Sequence, residues 1–547
     1  MESIGVIFAM LIAIVISGVI VRVIPWGIPL PLIQILLGIV IAGVFQEGME
    51  LHPDVFFLLF LPPLLFLDGW RISKEALKRE RASIFHLAFG LVIITVFGLG
   101  FIIHWLIPAM PLPVAFALAA IVSPTDPIAV AGIARKLAVP ERILSILEGE
   151  ALFNDASGLV AFRMAILVMM TGHFSLSEAV MSFVWVAFAG FCTGIIITWL
   201  LSFFRGQFTK KYGEDIGAEI LLNILMPFAA YVAAEHIGAS GILAAVAAGL
   251  TMSYLELSGQ VSPLTRMRRA TIWDTVQFTL NGMMFVLLGE QLPNIFKGAV
   301  QVVQQTGHHN PWWLIIYASV ICLSLAALRF GWVFFSIHVL RWLKKTPKNQ
   351  SQQATLRDIL ILSLGGVRGA VTLAGVLTLP LLLPNQEAFP ARDLAIFLAA
   401  TVIIISLITA SILLPWLLKK QNLAPQAIAR PLHKQQTLAL QMAEDAITKH
   451  LSDLLPSLQK AYPQIEPSFY TAVLERLLVE FSNSLDPDPD TNSESYQKYL
   501  SEKQIRLMAI DTARQTIYRL ARDQKISDDV ARDMVKQLDF DEIRFTP

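Results

Sequence analysis

Between positions 147 and 158 the chain reads Leu-Glu-Gly-Glu-Ala-Leu-Phe-Asn-Asp-Ala-Ser-Gly, which places Glu148, Glu150, Asn154 and Asp155 within eight residues of an apolar stretch. A charged side chain at the centre of a bilayer costs at least about 2.5–3.5 kcal/mol, so each of these groups needs a reason. Glu150 and Asn154 are four apart and share a helix face. Asp155 lies deeper, between Phe153 and Leu159, while Glu148 reads equally well as an interfacial group. A second segment, Ser123-Pro124-Thr125-Asp126-Pro127, supplies the complement. Pro124 and Pro127 cannot donate to the carbonyls of Ala120 and Ser123, so the helix opens there. Freed carbonyls are tolerated inside a bilayer only where protein or water covers them. Backbone oxygens, the Thr125 hydroxyl and the carboxylates of Asp126 and Asp155 make a hard, oxygen-rich setting suited to Na⁺ or a similar alkali ion. A plain proline kink with Asp126 capping the next half-helix is compatible with that reading.

A third segment, Gly365-Gly366-Val367-Arg368-Gly369, carries a permanently charged guanidinium between glycines. A buried arginine requires an anion, and Glu150 is the expected partner in a structural ion pair; a cation-repelling gate is the other role open to Arg368. Pro62, Pro63 and Asp68 are expected to set packing near the inner mouth. Glu235, Asp274 and Glu290 are expected at helix ends, and Arg163 and Arg329 to snorkel or pair. Glu47, Glu50 and Asp54 fit either an attracting outer mouth or a solvated loop.

The elements that must hold these groups follow from composition. Of 547 residues, 55% are hydrophobic and 15% charged, against about 25% charged in a soluble domain. Charged residues make up about 12% of positions 1–420 and about 27% of 421–547. Residues 1–420 therefore read as a polytopic all-α membrane domain and 421–547 as a small helical cytoplasmic domain. The mean hydropathy of +0.62 and the net charge of zero exclude a disordered or nucleic-acid-binding chain. Cys192 and Cys322 suggest neither a disulfide framework nor a metal site. The apolar run to Val23 is long enough to span, and it reads as a retained first helix.

Apolar stretches predict about thirteen helices, centred near Ala13, Leu37, Phe60, Ile94, Pro124, Asp155, Gly190, Phe228, Val246, Met284, Leu323, Ala370 and Ile405. Loops after odd helices hold twenty Lys and Arg, those after even helices two. That alternation puts the N-terminus outside and the C-terminus in the cytoplasm of a cell-membrane protein. An odd count with a crossing helix at its middle permits two inverted six-helix repeats. The fifth member of each repeat is interrupted, at Ser123–Pro127 and at Gly365–Gly369, the best sequence pointer to a midplane transport site.

Four motifs now stand in order: Leu61-Pro62-Pro63-Leu64-Leu65-Phe66, Ser123-Pro124-Thr125-Asp126, the Glu148-to-Asp155 run and Gly366-Val367-Arg368-Gly369-Ala370. Together they resemble the monovalent cation:proton antiporter-1 family of NhaP-type and animal sodium/proton exchangers, over residues 1–420. The resemblance implies a thirteen-helix inverted-repeat fold, homodimers, and elevator-like exchange of Na⁺, or Li⁺ or K⁺, for H⁺ without a cofactor. It implies that Asp155 and Asn154 hold the cation, with Asp126 and Thr125 of the interrupted helix, and that Glu150 pairs with Arg368. Ser123, Glu148 and Asp68 are secondary candidates. Ala151 departs from the serine many members carry, removing one hydroxyl ligand. Members with Asn-Asp at this place are similar to electroneutral exchangers.

The expected mechanism is competition. Desolvation disfavours a bare carboxylate, so proton and alkali ion become rivals for one site. Either cargo makes the site closer to neutral and able to cross the low-dielectric core, which gives one-for-one exchange. The absence of a P-loop, an HExxH or a GxSxG removes the usual supports for ATP-driven pumping and hydrolysis. A cation channel is the rival that would use the same carboxylates. The tail is expected to form short amphipathic helices at 437–455, 468–481 and 495–523, with a linker at 486–490.

Overall fold

In the computed structural model, the described residues are 2–23, 28–45, 53–126, 139–172, 176–256, 262–305, 310, 312–344 and 356–419, with 494–523, 525, 528–543 and scattered positions from 442 to 478. They contain helices and one isolated bridge between Leu382 and Ala388. Pro127, Arg135, Lys136, Glu47, Glu50, residues 486–490 and much of 437–455 and 468–481 lie outside the described residues.

The helices run in order as α1 (Glu2–Val23), α2 (Leu30–Val44), α3 (Pro53–Arg71), α4 (Lys74–Arg79) and α5 (Arg81–Phe85). A π-helical turn, His86–Leu91, leads into α6 (Val92–Leu106), followed by α7 (Leu112–Ile121) and α8 (Glu141–Thr171). Next come α9 (Leu176–Tyr212), α10 (Ile216–His236), α11 (Gly241–Glu256), α12 (Pro263–Gln305) and α13 (Trp312–Lys344). Then α14 (Leu356–Leu364) and α15 (Ala370–Leu377) flank a break, and α16 (Arg392–Lys419) follows. Among the described residues, seven helical segments are long and apolar enough to cross a membrane, and three shorter apolar helices accompany them. Every helix centre expected from the sequence falls on one of these helices or at one of the two breaks.

Composition explains the packing. Large apolar side chains point outward from many helices, Phe8, Trp105, Trp185 and Trp199 among them. In lipid these outer faces lie in apolar surroundings, whereas in water they would form an aggregating surface. Helices without a hydrophobic drive between them associate through small residues that let backbones touch. α2 and α12 meet this way: a Cβ at Gly38 would stand 2.0 Å from the Val286 carbonyl, and one at Gly289 2.0 Å from that of Ile35. α2 with α12, and α3 and α9 with α11, form one packed set; α6, α7 and the π turn pack with α8 in another. The two sets face each other where α15 meets α3 and α12.

The chain divides into two compact units, Met1–Asn422 and Leu423–Pro547. In the second, α17 (Glu494–Arg522) pairs with α18 (Asp528–Ile543) around Ile517, Val535 and Leu538. Arg514 bridges them through Asp539 and Glu542. The helix expected at 495–523 is thus present as α17.

Candidate functional site

α7 stops at Ile121, and Pro124, Thr125 and Asp126 belong to no helix. α14 stops at Leu364, Gly365 closes it in a turn, and Gly366–Gly369 belong to no helix before α15 begins. The two breaks cross and exchange hydrogen bonds. Asp126 N–H donates to the Val367 carbonyl (2.6 Å), and the Arg368 Nε donates to that of Val122 (3.0 Å). Val122 O would have received the Asp126 N–H in an unbroken helix, so each break satisfies what the other frees. The crossing is tight because Gly369 has no side chain: a Cβ there would stand 1.8 Å from Asp126 Oδ2. On α8, Gly158 gives the same room to the Pro124 ring, 2.5 Å from where its Cβ would lie.

Beside the crossing lies a small cavity lined by Asp126, Thr125 and Pro124, by Asp155 of α8, by Gly369, Val371 and Thr372, and across from them by Leu64 and Asp68 of α3 and Asn281 of α12. The centre of a water-sized body has about 20 Å³ in which to sit. One ordered water needs about 10–15 Å³ by this measure, so the space fits a small ion and not an organic solute. Asp155 is 6% exposed, whereas Asp126 and Asp68 are half-buried. Among the described residues no three His, Cys, Asp or Glu gather as metal ligands. An ion here would therefore be held by carboxylates together with hydroxyl, amide and backbone oxygens.

Next to the cavity stands a buried polar core. Asn154 Nδ2 donates to Thr125 Oγ1 (2.9 Å), which donates to Glu150 Oε1 (3.4 Å). Asn154 Oδ1 accepts from the Thr125 backbone N–H (3.5 Å). Glu150, fully buried, receives both terminal nitrogens of Arg329, at 2.5 and 2.9 Å. This corrects the expected partner: Glu150 pairs with Arg329 of α13, not with Arg368. The reason lies in the breaks. Arg368 donates to carbonyls at the C-terminal ends of two helices, Val122 after α7 and Gly366 after α14 (2.5 Å). Those ends carry partial negative charge, so a cation is stabilised there without a carboxylate. Arg329 serves α14 likewise, reaching Leu362 O and Ser363 O through Nε.

Thr125, Asp126 and Asp155 thus line one cavity, and Asn154 and Glu150 stand behind Thr125. Asp68, a secondary candidate also expected to set packing, lines the cavity. Glu148 is half-buried, and neither it nor Ser123 lines the cavity; the Ser123 hydroxyl is buried without a hydrogen-bond partner. Ala151 is buried and offers no ligand. Glu290, expected near a helix end, sits well inside α12 at 2% exposure. Arg163 pairs with Glu235 at 2.9 Å, and Asp274 with Arg71 at 2.6 Å. Asn281 and Thr372 were missed. Asn281 was visible as a lone amide before Gly282 in an apolar stretch, but nothing local points it at Asp155.

Residues 7–420 match the family described as sodium/hydrogen exchanger, transmembrane. The chain is 38% identical to a protein of Escherichia coli (strain K12) named as the uncharacterized Na⁺/H⁺ exchanger YjcE, with 98% of each chain covered. It is 44% identical to a sodium, potassium, lithium and rubidium/H⁺ antiporter of Bacillus pumilus, over 77% of this chain and 62% of that one. Its fold is similar to that of the sodium proton antiporter MjNhaP1 from Methanocaldococcus jannaschii, at a TM-score of 0.58 and 19% identity, covering 77% and 99% of the two chains.

Proposed function

The chain belongs to the sodium/hydrogen exchanger family, and from that premise we propose that it moves a monovalent cation and a proton in opposite directions through the site around Asp155. The observation that carries this reading is one buried carboxylate beside two crossed helix breaks, in a cavity of ionic size. A bare charge is costly in low-dielectric surroundings, and either a proton or an alkali ion removes that cost. Loaded with one cargo the site can change sides; empty it cannot. Asp155 and Asp126 are the ion-holding carboxylates, Thr125 and Asn154 shape them, and Asp68 and Asn281 face them from the opposite wall. The neutral amide of Asn154 leaves one carboxylate at this step of α8, which favours electroneutral one-for-one exchange.

Na⁺ is the leading cargo, with K⁺ and Li⁺ in range, as the name of the Bacillus pumilus relative supports. The working form is a homodimer in the cell membrane, with thirteen membrane helices in two inverted repeats. The N-terminus lies outside, and 421–547 is a cytoplasmic domain. Apart from the O–H bond of a protonated carboxylate, the reaction makes and breaks no covalent bond, and it calls for no cofactor. The test is the purified full chain in liposomes holding a pH-sensitive dye, with Na⁺, Li⁺ or K⁺ added under free and clamped voltage. Cation-driven proton efflux that persists when voltage is clamped is expected, and low pH should weaken apparent cation affinity because protons fill the site. Asp155→Asn should abolish the flux at unchanged protein yield; full flux in that variant refutes the assignment. Current without counter-movement of protons would point to a channel.

A further inference from the structure

The π-helical turn His86–Leu91 stands between α5 and α6. Such turns are rare, because one extra residue spoils the regular pairing of carbonyls along the helix. Two carbonyls of this turn take side-chain donors from elsewhere. Trp332 Nε1 of α13 donates to His86 O (2.9 Å), and Ser157 Oγ of α8 lies 3.0 Å from Ala88 O. Gly90 makes room for the indole: a Cβ there would lie 2.2 Å from Trp332 Cζ2. Both donors sit on the helices that build the site. Ser157 follows Asp155 by two residues, and its hydroxyl also lies 3.2 Å from Asn154 O. Trp332 is three residues, nearly one turn, beyond Arg329, which holds Glu150.

We propose that Ser157 and Trp332 are positioning residues for cation–proton exchange, and that the π turn they engage sets the register of α8 against α13. The proposal rests on the exchange reading above. A π turn pairs a carbonyl with the N–H five residues on instead of four; here the His86 and Ala88 carbonyls also take donors from the two site-bearing helices, so the turn and the site are aligned together. Ser157→Ala removes the side-chain donor to the Ala88 carbonyl and releases the stretch of α8 that carries Asn154 and Asp155. Trp332→Phe keeps an aromatic ring over Gly90 and removes only the donor.

The experiment measures KM and maximal rate for Na⁺ in liposomes across pH, normalised to the amount of monodisperse protein. In Ser157→Ala, and in the same direction in Trp332→Phe, KM should rise roughly fivefold, the scale of a lost hydrogen bond to a buried acceptor. The pH midpoint should move, the maximal rate should change little, and Ser157→Thr should recover the wild-type KM. Wild-type KM and pH midpoint in both donor variants, with only the yield reduced, would overturn the proposal and leave a purely structural role. A lack of Na⁺-driven proton flux in the unmodified chain would instead overturn the exchange reading, before any variant is compared.

Discussion

Replacing Arg329 with methionine removes the guanidinium that supplies both strong donors to Glu150, at 2.5 and 2.9 Å. The carboxylate, 0% exposed, keeps only the two 3.4 Å contacts from Thr125 and Asn154. Stranding one member of a buried pair costs about 3–5 kcal/mol. At about 1.4 kcal/mol per factor of ten, the folded fraction relative to unfolded falls by roughly two to three and a half powers of ten. Arg368→Met strands no carboxylate; it gives up charge-assisted bonds to the Val122 and Gly366 carbonyls, whereas Arg329→Met gives up comparable bonds to the Leu362 and Ser363 carbonyls on top of the stranded carboxylate. Monodisperse yield in detergent and the melting midpoint should therefore fall further for Arg329→Met than for Arg368→Met. The decisive comparison adds Glu150→Leu to each. Removing both members of a buried pair is often close to neutral, so Glu150→Leu should rescue Arg329→Met and should worsen Arg368→Met, since it strands Arg329. Rescue of Arg368→Met but not of Arg329→Met would refute this pairing and restore the one first expected from the sequence.

Three further outcomes follow. Gly369→Ala would set a Cβ 1.8 Å from Asp126 Oδ2, and displacing that carboxylate by about an ångström should cut exchange by something of order a hundredfold; near-normal flux would show that Asp126 is not held by this contact. Asn281→Ala removes the amide from the α12 wall of the cavity and should raise KM for Na⁺ roughly two- to tenfold, an expectation that an unchanged KM defeats. Outside the membrane-spanning segments, the Thr265 hydroxyl, with help from Ser262, holds the Glu214 carboxyl below its ordinary value of 4.5. A lowered folded value means the contact stabilises above pH 4.5 and fades as pH falls through that folded value. Thr265→Val should therefore lower the melting midpoint at neutral pH and lose its effect in acid; an equal loss at both would argue that packing, not charge, is at stake.

The sequence by itself determined the helices and where two of them break. An apolar run of about twenty residues in lipid has no option but to satisfy its backbone internally, and Pro124 and the glycines around Arg368 interrupt that pattern locally. It also determined the chemistry on α8, because Glu150, Asn154 and Asp155 lie within two turns, and helical periodicity puts Glu150 and Asn154 on one face. Partnerships between distant helices were decided only by the tertiary structure. Glu150 had two buried arginines to choose from, 179 residues away at Arg329 or in the second break at Arg368. What settled it was the crossing of the breaks, which turns two helix C-termini toward Arg368 and makes carbonyl oxygens its counter-charge. On the far wall of the cavity Asp68 stood only as a secondary candidate and Asn281 was hidden, for the same reason: which face of α3 or α12 meets α15 depends on how whole helices pack, and no local spacing encodes it.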